Sequence, residues 1–290
     1  MNAPAPTSKP AAPQLPPPPK APAPPPKQGN GQKPQTPTRD FAVSKGRVAG
    51  PQRVLIYGTG GIGKSSLAGL APSPVFLDIE GGTNELDVPR IAGIETFAEL
   101  RSVITGQALE PFGTVILDTA TKGEELATAH TLATVPHEKG HFVDRLESYG
   151  FGKGLAHVYE TFMLLLQDFD SLVRKGKNVI LIAHDCISDV PNPVGDDFIR
   201  YEPHLQSPKS GKNSVRNRIV QWADHVLFIG YDVVSRDGKG KGGGTRTIWT
   251  NERPDHIAKV RGRTERGVPD SLPYELGDSS IWSMILGGMS

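Results

Sequence analysis

From residue 53 onward short apolar runs alternate with stretches whose apolar positions recur three and four residues apart. "RVLIYG" (53–58), "PVFLDI" (74–79), "TVILDT" (114–119), "NVILIAH" (178–184) and "HVLFIGYDV" (225–233) read as strands. Several are continuously apolar rather than alternating, the pattern of strands covered on both faces in a parallel sheet. "RTIWTNE" (246–252) and "HIAKVRG" (256–262) add two strands, close in sequence and expected to pair antiparallel at the sheet edge. Helical spacing fits 63–71, 96–107, 121–134, 152–175 and 213–223; the clearest stretch, "GLAHVYETFMLLLQDFDSLVRKG", ends in a Lys-Gly stop. This alternation predicts an α/β fold with right-handed crossovers: a mainly parallel sheet flanked by helices, with antiparallel strands at its C-terminal edge.

The first 50 residues break the pattern. They hold 14 of the 27 prolines, and seven Lys/Arg against one acid give them a local charge of +6. The remaining 25 basic and 30 acidic residues leave −5 on the body, so the net +1 hides a basic tail on a mildly acidic core. With so few large apolar residues, 1–50 is expected to stay disordered and to populate polyproline II, as a linker or as a docking segment for a protein partner. The body is expected at 51–276, with a short C-terminal tail at 277–290 whose "SSIWSMILGG" is apolar enough to dock on its own chain or on a neighbour. No run of about 18 apolar residues suggests a membrane span. The lack of a signal-like apolar core near the start and the single cysteine, Cys186, point to a reducing cytoplasm.

Residues Gly58, Thr59, Gly60, Gly61, Ile62, Gly63, Lys64 and Ser65, followed by Ser66, match G-x-x-x-x-G-K-[ST] between a strand and a helix. Glycines let successive backbone N–H groups turn inward on phosphate oxygens. Lys64 is then expected to reach the β- and γ-phosphates of ATP, and Ser65 to ligate Mg²⁺. Asp118, ending "TVILD", is expected to supply the carboxylate of the metal site. Thr119 stands where many ring ATPases place a glutamate base, so the base must come from elsewhere. "FLDIEGG" offers Asp78 and Glu80 at the carboxyl end of a strand, where open parallel sheets gather their ligands; Glu80 is the candidate.

In this order the segments resemble the RecA-like ATPase family, over roughly residues 50–275. They are similar within it to the phage nucleotide-binding proteins that include the Sak group of single-strand annealing proteins. The resemblance implies a RecA-like core in which Glu80 orients water and His184, ending "NVILIAH", senses the γ-phosphate. It also implies a homo-oligomer, ring or filament, acting on single-stranded DNA in recombination or annealing. Lys259 and Arg261 match basic residues that reach a neighbour's phosphate in that family; two apart on a strand, they share a face. The recombinases more often carry glutamine or asparagine where this chain has His184, which also reads as an ordinary strand-end histidine.

The stretch after His184 has little periodicity over about thirty residues and reads as a long loop in the place of the family's second DNA-binding loop. It offers Arg200, Lys209, Lys212, Arg216 and Arg218 for phosphates and Tyr201 for base stacking. Asp185, Asp189, Asp196, Asp197 and Glu202 make its first half acidic. Two sets of residues read as structural: His130, His137 and His141 as a polar loop rather than a zinc site, and "DGKGKGGGT" (237–245) as a hairpin tip. Phe41 and Ala42 fit loosely a strand added to a neighbouring protomer. Two other functions remain open at this point: a P-loop kinase of a small acceptor, and a nucleotide-dependent assembly factor without a DNA role.

Overall fold

The computed structural model describes residues 50–236 and 239–286 with positions 43, 45, 46 and 48, giving only the backbone for 233–243. The Pro-rich stretch 1–42, including Phe41 and Ala42, lies outside the described residues. The strands are β1 Arg53–Gly58, β2 Pro74–Asp78, β3 Arg90–Ile91, β4 Thr114–Asp118, β5 Asn178–Ala183, β6 Asp185–Val190, β7 Phe198–Pro203, β8 His225–Arg236, β9 Lys239–Trp249, β10 Lys259–Val260 and β11 Ser271–Tyr274. The α-helices are α1 Lys64–Gly69, α2 Phe97–Thr105, α3 Ala120–Thr134, α4 Lys153–Arg174, α5 Val215–Trp222, α6 Arg263–Arg266 and α7 Ser280–Ile285.

Six strands run parallel in the order β8–β1–β5–β4–β2–β3, and β9 and β11 continue the sheet antiparallel beyond β8. The mainly parallel α/β sheet with an antiparallel C-terminal edge is thus the fold. Both strand faces are covered, as continuous apolarity requires. Leu55, Tyr57, Leu117 and Leu181 face a core closed by α2, α3, α4 and α5. Val54, Ile56, Ile116 and Ile180 face a second core holding Leu67 of α1 and Ile281, Trp282 and Ile285 of α7.

Three readings of the sequence change. Residues 246–252 and 256–262 do not pair with one another. β9 is the return arm of a hairpin with β8, while only Lys259–Val260 of the second stretch is a strand, pairing with the amino end of β8. The outer partner of β9 is β11, whose Pro273 disguises it as a loop; proline is tolerated there because the strand lies at the sheet edge. The first part of the loop after His184, residues 185–203, is a two-stranded sheet, with the loop proper following it: β6 pairs antiparallel with β7 from Asp185↔Pro203 to Val190↔Phe198. Acids interleaved with apolar residues, and two prolines in the turn, hide its alternation. The apolar stretch beyond residue 277 docks on its own chain: α7 buries Ile281, Trp282 and Ile285, and the Trp282 indole N–H donates to the Leu67 carbonyl at 2.8 Å. Trp282→Ala should therefore lower the unfolding free energy by about 3–5 kcal/mol, read from urea titration, as for other large buried aromatics.

At the amino end of β8, His225 is fully buried and its Nε2 lies 3.0 Å from Gln52 Oε1. Burial, with help from Arg266, Arg261 and Lys259 and against Asp224, lowers its pKa to about 4. The unfolded chain takes this proton near pH 6.5. Acidification from 6.5 towards 4 therefore favours unfolding, and the contribution is fully present above that window. Wild type should lose up to about 3 kcal/mol across it, and His225→Gln should flatten that part of the stability–pH curve.

Candidate functional site

The site forms where β1, β2, β4 and β5 end. β1 stops at Gly58, where a Cβ would stand 2.2 Å from the carbonyl oxygen of Ile229 on β8, so only glycine permits this strand contact. The loop that follows turns through left-handed residues Gly61 (φ 73°) and Gly63 (φ 104°), conformations that favour glycine. Gly60 and Gly61 face open space, Thr59 is exposed, and Ile62 is fully buried, anchoring the loop to the second core. The loop is held from outside as well: the Tyr274 hydroxyl donates to the Gly63 carbonyl at 2.9 Å, and Tyr274 and Leu276 pack where a Gly63 side chain would go.

Lys64 is buried, and its ammonium donates to the carbonyls of Gly58 (2.8 Å) and Thr59 (2.9 Å). Burial lowers its pKa against the opposing pull of Asp185, Asp118 and Glu80. The Ser65 hydroxyl donates to Asp118 Oδ2 at 2.6 Å. Burial raises the Asp118 pKa, and Glu80 and Asp78 add to it while the Ser65 bond opposes. A hydroxyl and a carboxylate meeting beside a lysine, amid excess negative charge, fit a divalent cation with a triphosphate.

Glu80 has two partners. The Thr119 hydroxyl donates to its Oε1 at 2.8 Å, and His184 Nε2 lies 3.3 Å from both of its carboxylate oxygens. Thr119 also caps α3, accepting the Lys122 N–H at 3.1 Å, so its side chain is fixed from both directions. Asp78 shapes the loop that carries Glu80. Its carboxylate accepts the N–H groups of Gly81 (2.7 Å), Gly82 (3.2 Å) and Thr83 (3.2 Å) and the Thr83 hydroxyl (2.5 Å). Burial alone would raise the Asp78 pKa; the Thr83 and backbone bonds outweigh it and hold the carboxyl below its usual range.

Lys64, Ser65, Glu80, Asp118 and His184 therefore come together. Asp78, Thr119 and Tyr274 were not singled out from sequence as site residues; the Asp-x-x-Gly-Gly-Thr spacing, which suits a carboxylate that gathers the next turn's N–H groups, was the available signal for Asp78. A cleft of about 240 Å³ flanks the first turn of α1, lined by Ser65, Ser66, Leu70, Leu86 and Val88 among others.

The remaining candidates lie elsewhere. Lys259 pairs with Val226, three residues before Ile229, so it sits about 10 Å down the strand from the Gly58 end of the sheet. Arg261 pairs with Asp224 of its own chain at 2.8 Å. Arg200 and Arg216 both bind the buried Glu202, Arg200 at 2.6 Å. The Tyr201 ring stacks on Phe228 with centroids 5.4 Å apart. Lys209, Lys212 and Arg218 are exposed. His137 and His141 stack on each other, and no cluster of three metal-ligating side chains occurs among the described residues.

Residues 50–262 match the family described as AAA domain, and the chain belongs to that family. It is also similar to the SPbeta prophage-derived uncharacterized protein YorG of Bacillus subtilis (strain 168), with 24% identity over 214 residues that cover 72% of this chain. The match spans 58% of that relative's length. Among solved structures it resembles the KaiC-like protein PH0186 of Pyrococcus horikoshii OT3 (TM-score 0.38, 12% identity, 79% of this chain and 88% of that one). The flagellar accessory protein FlaH of Methanocaldococcus jannaschii gives a TM-score of 0.33 at 10% identity, over 79% of this chain and 91% of that one.

The Asp78 bonds fix the turn that follows Glu80. Asp78→Ala should slow nucleotide turnover by about tenfold or more while leaving the nucleotide Kd nearly unchanged, because the phosphate loop lies on another strand. Equal losses in affinity and turnover would mean that this turn does not act through Glu80.

Proposed function

We propose that the chain binds ATP with Mg²⁺ at the Gly58–Ser66 loop and hydrolyses it with Glu80 as the base. The observation that supports this best is the placement of Glu80, held by the Thr119 hydroxyl and faced by His184, beside Lys64 and the Ser65–Asp118 pair. Loop N–H groups receive the phosphates, and Lys64 exchanges its two carbonyl partners for charged phosphate oxygens, which are stronger acceptors. The apolar cleft at Ser66 and Leu70 takes the nucleoside. Ser65 and Asp118 would hold the Mg²⁺, which would offset the negative charge of the phosphates. Glu80 orients a water and accepts its proton as the water oxygen bonds to the γ-phosphorus; the bond to the ADP oxygen breaks, giving ADP and phosphate.

His184 links this site to the hairpin. Its carbonyl accepts the His204 N–H at 2.8 Å, and β6 starts at the next residue, so a change at Glu80 has a short route to β6 and β7. In a fuller reading the protein is a phage-encoded homo-oligomer of the bacterial cytoplasm that couples hydrolysis to single-stranded DNA. The exposed Lys209, Lys212 and Arg218 favour it, and a prophage-derived relative is consistent with such an origin. In that reading Lys259 and Arg261, remote from their own phosphate loop, act on a neighbour's.

Phosphate release with and without single-stranded DNA is the test. Lys64→Ala should abolish turnover, and Glu80→Gln should reduce it by about 10²–10⁴ while nucleotide still binds. DNA stimulation that disappears in a Lys209→Ala/Lys212→Ala/Arg218→Ala variant supports the DNA role, and indifference to DNA removes it. Phosphate appearing on a small acceptor would make the protein a kinase. Background turnover with ATP-dependent assembly would make it an assembly factor.

A further inference from the structure

A second cavity, about 510 Å³, opens beside the phosphate loop at Thr59, on sides of β7, β8 and β9 that the hydrolytic site does not use. Four aromatic side chains line it: Tyr201, Phe228, Tyr231 and Trp249. Three carboxylates, Asp185, Asp232 and Asp255, complete it, and no lysine or arginine is among its lining residues. Arg253 and Arg246 lie over the rings of Trp249 and Tyr231, at 4.1 Å and 5.9 Å from the ring centroids, so these rings already attract guanidinium groups.

The cavity is built rather than incidental. The buried Tyr57 hydroxyl lies within hydrogen-bond distance of the carbonyls of Tyr201 (3.1 Å) and Ile257 (2.7 Å) and accepts the Ile257 N–H at 2.9 Å, tying β7 and the 251–258 turn to the sheet. Phe228 is stacked between Tyr201 and His256 at 5.4 Å and 5.1 Å.

Its chemistry selects a ligand. The three carboxylates outnumber the two arginines that lie over Trp249 and Tyr231, so the cavity disfavours phosphate, and a neutral apolar group would desolvate the carboxylates without return. A guanidinium or ammonium pairs with the carboxylates and rests on the aromatic faces. The hairpin extends this surface. On β6 and β7 the side chains alternate, so Asp185, Ile187, Asp189, Ile199 and Tyr201 share one face. Ile187, Ile199 and the turn residue Val194 are 65%, 64% and 92% exposed. The sole base of the hairpin, Arg200, is held by Glu202. Exposed aliphatic groups beside a cation pocket suit a protein segment rather than a free polyamine or a nucleic acid.

We propose that this cavity and the outer face of the β6–β7 hairpin form a receptor for an arginine or lysine side chain, presented on an apolar segment of another protein. The occupant would touch Asp185, one residue from the His184 that faces Glu80, and so lies where partner binding and hydrolysis can influence one another.

The test uses the full chain and fluorescence anisotropy with three labelled probes: a peptide alternating leucine and arginine, the same peptide with glutamate for arginine, and an oligo-dT strand. The leucine–arginine peptide should bind saturably, on the order of tenfold more weakly to Asp232→Asn/Asp255→Asn, and unchanged to Asp196→Asn at the hairpin turn. The glutamate peptide should not bind. If melting shows the double variant misfolded, Ile187→Ser on the exposed face should produce the loss instead. Glu80→Gln, which tests hydrolysis and lies outside the cavity lining, should leave peptide binding intact, so failure of the hydrolytic reading is told apart from failure of this one. No saturable binding, or equal binding by wild type and both face variants, overturns the proposal. So does oligo-dT displacing the peptide, or a wild-type oligomer that the double variant breaks into monomers, which would make the occupant a second copy.

Discussion

The register of the parallel strands is the constraint on which the site depends. Asp78 pairs across to Asp118, Asp118 to Ile182, and Tyr57 to Ala183, so Gly58, Asp78, Asp118 and His184 end their strands at one edge. A slip of one residue would turn Leu55, Leu117 and Leu181 from one core to the other and carry the acids with them. Because the two cores bury opposite faces of the same strands, the packing that stabilises the sheet also fixes the chemistry at its end. β5 lies between β1 and β4, which places His184 between the phosphate loop and the Asp118 strand.

That edge carries more negative charge than positive. Asp78, Glu80, Asp118 and Asp185 face one buried lysine, and the resulting strain is visible in Asp118, pushed towards its neutral form by burial and by its neighbours. Asp78 escapes the same fate through its N–H and hydroxyl donors, which a protonated carboxyl would satisfy less well. The arrangement is therefore poised for cations and for nothing anionic alone, a pairing that a metal-bound triphosphate meets. The neighbouring cavity shares the same sign of charge and meets this edge at Asp185.

Much of this was legible in the sequence because local chemistry and position agree. Glycines and a lysine after an apolar run define the phosphate loop, and continuous apolar runs betray strands covered on both faces. Glu80 could be picked from its place at a strand's carboxyl end, whereas His184 could be ranked only through resemblance; their closeness depends on β2 and β5 lying two strands apart, which spacing in the chain does not encode. The β6–β7 hairpin stayed hidden because its alternation mixes acids with apolar residues on the exposed face, so no apolar stripe stands out. β11 was missed because Pro273 argues against a strand everywhere except at an edge. The basic residues Arg200 and Arg216 looked available for DNA because sequence cannot show that Glu202 already holds both.

The contacts that brace the phosphate loop come from far along the chain. The Tyr274 hydroxyl reaches Gly63 across 211 positions, and the Trp282 indole reaches Leu67 across 215. On a ribosome making the protein from its amino end, the loop emerges early and waits for almost the whole sheet, its antiparallel edge and α7 before it is clasped. The closed shape of the loop is then a late property of the growing chain: a chain interrupted before Tyr274 carries the Gly58–Ser66 sequence complete and neither of the contacts that clasp it.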